Sequence, residues 1–105
     1  MPDDRVAQLT EILSLNPADS FARYALGMEY SNAGKVDAAV AEFKTLLQQT
    51  PNYVNAYFMA AQALAGAQRT DEATKLLRDG IATAQRTNNR HAESEMQALL
   101  DELAA

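Results

Sequence analysis

The 105-residue sequence contains no cysteine and no tryptophan, one histidine, three prolines and four glycines. Without cysteine there is no disulfide, no iron–sulfur cluster and no thiol chemistry. The lone histidine, His91, has Glu95 one helical turn away, two ligands where a zinc site needs three or four, so no metal is expected. Ser20, Ser31 and Ser94 have no evident base beside them, and nucleophilic catalysis has no support. The acid pairs Asp3-Asp4, Asp71-Glu72 and Asp101-Glu102 are sequence neighbours. On a helix, neighbours point about 100° apart and make poor acid–base dyads. The glycines 27, 34, 66 and 80 are scattered, so no phosphate-cradling loop exists. The chain is read as non-catalytic, with no cofactor.

Long apolar runs and an excess of positive charge are also missing. No stretch of about 18 apolar residues is present, so no membrane span is expected. The opening Met1-Pro2-Asp3-Asp4 lacks the basic and apolar regions of a signal peptide, and a cytoplasmic location is expected. The net charge is −5. Nucleic-acid binding needs a basic stripe, and the nearest candidate, Arg69, Lys75, Arg78, Arg86 and Arg90, is interrupted by Asp71, Glu72 and Asp79.

What the sequence has in quantity is apolar residues (48%), with much alanine and few helix breakers. Period-2 alternation is scarce, so an all-α domain is expected. The 20–53 stretch holds two apolar-periodic runs, broken at Ala33-Gly34-Lys35 and closed by Pro51. In the first, Arg23, Leu26, Gly27 and Tyr30 form one face, and Phe21, Tyr24 and Met28 form another. A surface helix needs only one apolar stripe, so the second implies a further neighbour or a partner. The second run has one stripe, Val36, Ala39, Val40, Phe43, Leu46 and Leu47, with Asp37, Glu42, Lys44, Gln48 and Gln49 expected in solvent. Gly34 suits the left-handed residue that ends a helix. Pro51 stops the next helix.

Shifting the sequence by 34 residues brings Tyr24 onto Phe58, Asp37-Ala38-Ala39 onto Asp71-Glu72-Ala73, and Phe43 onto Leu77. A helix pair recurring at this period marks a solenoid. Leu26-Gly27, Tyr30, Ala39, Phe43 and Pro51, then Tyr57, Ala60-Ala61, Leu64, Ala73 and Leu77, resemble the tetratricopeptide repeat signature. Arg23 departs from it, standing where the family usually has a large aromatic. Ala61 replaces a glycine, and Gln85 replaces the closing proline, so the helix there should run past Gln85. The resemblance implies a right-handed α-α superhelix of about six antiparallel helices. The expected units are an N-terminal half repeat (3–19), repeats 20–53 and 54–87, and a capping helix (88–105), with central helices near 19–33, 36–50, 53–67 and 70–86.

The N-terminal helix should bury Val6, Leu9, Ile12 and Leu13, and it reads as the second helix of a repeat lacking its first. Asp19 or Ser20, and Thr70, are the expected N-caps. The last helix should carry the stripe Ala92, Met96, Leu99, Leu100 and Leu103, although Ser94 and Glu95 fall where Leu-Gly would recur.

The resemblance also implies a concave groove that holds an extended or helical segment of a protein partner. Its lining would be Phe21, Tyr24, Met28 and Ser31, with Asn55, Phe58, Gln62 and Ala65. One subfamily clamps chaperone C-termini with Lys and Asn. The corresponding Tyr24, Met28, Phe58 and Gln62 include no cation, so an apolar or mixed segment fits better. Two other readings stand beside this one. Phe21 and Tyr24 would be core, packed on the first helix, with Phe58 on the first repeat, or the same apolar surface would join two copies in a homodimer.

Overall fold

The computed structural model describes residues 2–105, in which six α-helices and no strand are found. They are α1 (Pro2–Leu15), α2 (Ser20–Asn32), α3 (Val36–Gln49), α4 (Val54–Gly66), α5 (Thr70–Arg86) and α6 (Arg90–Ala104). Consecutive helices are joined by turns of three or four residues and pack side by side. The starts of α2 and α4, and of α3 and α5, are 34 residues apart.

The turns are of two kinds. After α2 the chain bends through Gly34 at φ +76°, and the Lys35 N–H bonds the Tyr30 carbonyl at 2.9 Å. After α4 the same turn is made by Gln68 at φ +65°, with Arg69 N–H on the Leu64 carbonyl at 2.9 Å. These are helix ends closed by a left-handed residue. The turns after α1 and α3 hold Pro17 and Pro51 and no left-handed residue. At the end of α5, Gln85 stands where Pro51 stood, and the turn changes kind. The helix runs 17 residues instead of 14, then closes through Asn88 at φ +57°, with Asn89 N–H on the Ala84 carbonyl at 2.8 Å. As expected, α5 runs past Gln85. In consequence α6 starts 36 residues after α4, not 34.

Three apolar clusters fill the stack. Leu9, Leu13, Ala22 and Leu26 join α1 to α2. Ala39, Phe43, Leu46, Ala56 and Ala60 join α3 to α4, with Tyr24 and Met28 of α2 against them. A larger cluster runs from Val40 through Leu64, Leu77 and Ile81 to Met96. Two glycines let helices approach. A Cβ on Gly27 would stand 2.6 Å from the Phe43 ring, and one on Gly80 would stand 2.7 Å from the Cβ of Tyr57.

Several expectations need correction. Ile12 is 43% exposed rather than buried, because α2 packs on Leu9 and Leu13 and leaves the Ile12 side of α1 open. Thr70 is the first residue of α5 and Arg69 occupies its cap without a side-chain bond. Arg69 instead pairs with Asp37, and with Glu72 at 2.7 Å. Asp19 does cap α2, accepting from the Ala22 N–H at 2.9 Å. Glu42 is not a solvated outer residue. It takes Arg23 Nη1 at 2.7 Å, while Arg23 Nη2 donates to the Pro17 carbonyl at 3.0 Å. Arg23 fills the aromatic position of the motif with its side chain only 14% exposed.

Candidate binding surface

The helices form two rows. α2 touches α4 and α4 touches α6, whereas among the described residues no Cα of α1, α3 or α5 comes within 8 Å of another of these three. A stack whose alternate helices meet on one side and part on the other curves toward the side that meets. The inner row is therefore α2, α4 and α6, in a body 39 × 28 × 18 Å.

All eight residues expected to line a groove lie on α2 and α4 of this row. On α2, Phe21 is 72% exposed. Tyr24 is half-buried, its ring centroid 5.8 Å from Phe43 and 5.2 Å from Tyr53. Met28 is half-buried against the cluster of Phe43 and Ala60, and Ser31 is half-buried. On α4, Asn55 and Gln62 are exposed. Phe58 and Ala65 are half-buried against the large cluster. Tyr24 packs on Phe43 of α3 and on Tyr53 at the cap of α4 rather than on α1, and most of the Phe21 side chain is left in solvent. Phe58 belongs to the cluster shared by α3, α4, α5 and α6 rather than to the first repeat alone.

None of the eight carries a charge. Burial, and then the neighbouring Tyr53, push the Tyr24 hydroxyl above its ordinary pKa, and burial does the same to Tyr53. Both rings stay neutral near pH 7 and offer hydroxyl donors. Beside Asn55, a cleft of about 420 Å³ opens between the turn before α4 and the turn before α6, lined by Asn52, Tyr53, Thr87 and Asn89 among others. Arg86 Nη2 donates to Asn52 Oδ1 at 2.9 Å at this end.

The 36-residue step also brings α6 into register. Buried Ala56 and Ala60 map onto buried Ala92 and Met96, and Leu64 maps onto Leu100. Asn55, Phe58, Gln62 and Ala65 then map onto His91, Ser94, Ala98 and Asp101, all exposed. A fixed 34-residue shift misses these four. The signal for them was the absent proline at Gln85. His91 Nε2 lies 3.2 Å from Glu95 Oε1 with its side chain 87% exposed, a solvated pair. Among the described residues no group of three or more His, Cys, Asp or Glu is gathered as metal ligands, and no helix is long and apolar enough to cross a membrane.

No curated protein matches the chain. Solved structures do. A Bordetella parapertussis protein is 25% identical, with a TM-score of 0.82 over 94% of this chain and 86% of that one. A tetratricopeptide repeat domain protein from Salinibacter ruber is 30% identical, with a TM-score of 0.76 over 84% of this chain and 89% of that one. The TPR2B domain of yeast Sti1, in its pHsp70 complex, is 20% identical and shares the fold, with a TM-score of 0.87 over 94% of this chain and 79% of that one. The all-α superhelix of about six antiparallel helices is thus the fold. A family model described as tetratricopeptide repeat matches residues 31–103, and the chain belongs to that family.

Proposed function

We propose that this chain is a non-catalytic interaction scaffold that holds a peptide or helical segment of a protein partner along α2 and α4. The observation that carries the reading is Phe21, a large aromatic left 72% exposed on the inner row. Exposed Asn55 and Gln62 follow on α4 and can bond a peptide backbone. Helices already fixed by their own cores leave most of the ordering cost to the ligand. The Sti1 domain of like fold is described as a complex with pHsp70, which supports a ligand-holding role for this shape. The uncharged lining favours an apolar or mixed segment over an acidic tail. The division into a half repeat (3–19), repeats 20–53 and 54–87 and a cap (88–105), a cytoplasmic setting, and the absence of cofactor and of nucleic-acid or membrane partners belong to the same proposal.

Tyr24 is a poor probe, because its ring also packs on Phe43 and Tyr53. Photo-crosslinkable residues at Gln62, on the inner row, and at Lys44, exposed on α3, make a cleaner test in cells that produce the protein. Crosslinks from Gln62 but not Lys44, weakened several-fold by Phe21→Ala, are expected. Crosslinks from Lys44 alone would reject the inner row. The second reading is a homodimer through the same apolar residues. A mass that doubles with concentration in light scattering, and returns to monomer in Phe21→Ala, would favour it.

A further inference from the structure

The large apolar side chains left in water gather at one corner. Ile12 is 43% exposed, Leu15 82% and Phe21 72%, and all three flank the turn from α1 to α2. The internal repeat indicates what covers such a corner. α2 lies on α3 through a 3.0 Å contact between the Ser20 and Thr50 hydroxyls, the Arg23–Glu42 pair, and the Phe43 ring against Gly27 and Tyr24. Thirty-four residues earlier, Glu42, Phe43 and Leu46 become Gln8, Leu9 and Ile12 of α1, and Thr50 becomes Asn16 in the turn after it. Leu9 is sealed by α2, but Gln8 and Asn16 are exposed, and Ile12 is 43% exposed where Leu46 is 0%. Arg5, Gln8, Ile12 and Leu15 recur at i, i+3, i+7 and i+10, one helix face. Arg5 reaches Glu29 only at 4.0 Å, with its side chain 54% exposed.

We propose that this edge docks an amphipathic helix of a partner protein, antiparallel to α1, in the way α2 lies on α3. The chemistry of the occupant follows from the face. It needs leucine or aromatic residues three and four apart to meet Ile12, Leu15 and Phe21, and a small residue over Leu9. Its C-terminal carbonyls, the negative end of its dipole, come over Arg5 and set the direction. The edge continues the interface of Leu9, Leu13, Ala22 and Leu26, so the added helix extends an existing core. A second copy stacked end to end does not suit it. The open face of α6 presents Arg90, Glu93, Ser94, Gln97 and Asp101, which would set polar groups on Ile12 and Leu15. Three apolar side chains offer only a few hundred Å², below the roughly 1,200 Å² of standard interfaces, so the complex is of the transient class.

The test is an amide-resolved NMR titration of the full chain. The probe is a peptide of residues 20–33, held helical by a staple replacing Ala25 and Glu29, which face α1 rather than α3 in the folded chain. Shifts are expected between Arg5 and Leu15 and at Phe21, with a dissociation constant in the high micromolar range. Ile12→Glu with Leu15→Glu should weaken binding at least tenfold and Gln62→Glu should leave it unchanged. Circular dichroism should find the double variant folded, since both side chains already meet water. The proposal is overturned if nothing shifts at millimolar peptide, if the shifts fall on Asn55, Phe58 and Gln62, or if the double variant binds equally well. It is equally overturned if the chain dimerises through α1 and the peptide cannot compete.

Discussion

Gly27→Ala puts the packing of α2 on α3 to a direct test. Alanine is the better helix former by about 1 kcal/mol, so from local propensity alone the substitution would stabilise. The new methyl would lie 2.6, 2.8 and 3.0 Å from three carbons of the Phe43 ring, against an optimum near 3.5–4.0 Å. Phe43 is fully buried, with the Tyr24 ring beside it, and cannot swing into water. Overpacking of this kind costs about 1–3 kcal/mol. With three close contacts on a sealed ring the upper part of that range applies, for a net loss of about 1–2 kcal/mol. Gly66→Ala is the control, since nothing lies within 4 Å of the added Cβ and Gly66 has no positive φ. It should gain about 0.5–1 kcal/mol. In a domain of this size 1 kcal/mol shifts Tm by about 4–8 °C, so the two variants should separate by roughly 10 °C in calorimetry. A Gly27→Ala protein as stable as its parent would refute the reasoning. So would failure of Phe43→Leu, which removes ring atoms, to relieve the penalty in a double-mutant cycle.

Further expectations concern charge and backbone. Glu42→Ala strands Arg23, whose Nε already lacks a partner, and should lower stability by about 1–3 kcal/mol. The joint change Arg23→Met with Glu42→Met should recover most of this in urea unfolding, because an apolar pair of similar volume needs no desolvation. Gln68→Gly should raise stability by about 0.5–1 kcal/mol, as a side chain at φ +65° is strained, and an unchanged urea midpoint would count against it. Tyr24 and Tyr53 should ionise above the ordinary tyrosine value of about 10. The folded state then holds their protons longer than the unfolded one, so this contribution is intact below about pH 10 and is lost as pH rises through the folded values. Tyrosinate absorbance should lose its late component in Tyr24→Phe with Tyr53→Phe, and a component that persists would assign it elsewhere.

Most of the helix layout was legible because the punctuation is local. Pro17, Gly34 and Pro51 act on their own turns, and the apolar stripes of α3 and α5 repeat without interruption. Three features were not legible in this way. Glu42 read as a solvated charge and Arg23 as a departure from the motif's aromatic, and only the approach of α2 to α3 makes them a half-buried pair. Ile12 fits its stripe perfectly well, but its burial depends on a neighbour that periodicity within α1 does not report. The register of α6 was hidden because a period assumed constant was broken at one turn. On the inner row, sequence spacing supplied the helix face, while exposure separated Phe21, Asn55 and Gln62 from half-buried Tyr24, Met28 and Phe58.

Among the described residues, no two helices in contact are more than two apart along the chain. The molecule is in effect one-dimensional, each hairpin leaning only on the next. Such a chain needs no distant ends to find each other before structure pays back its entropy, so folding can begin at any hairpin and spread. It also means that α1, held by the smallest of the three cores, can peel away while the middle of the column stands.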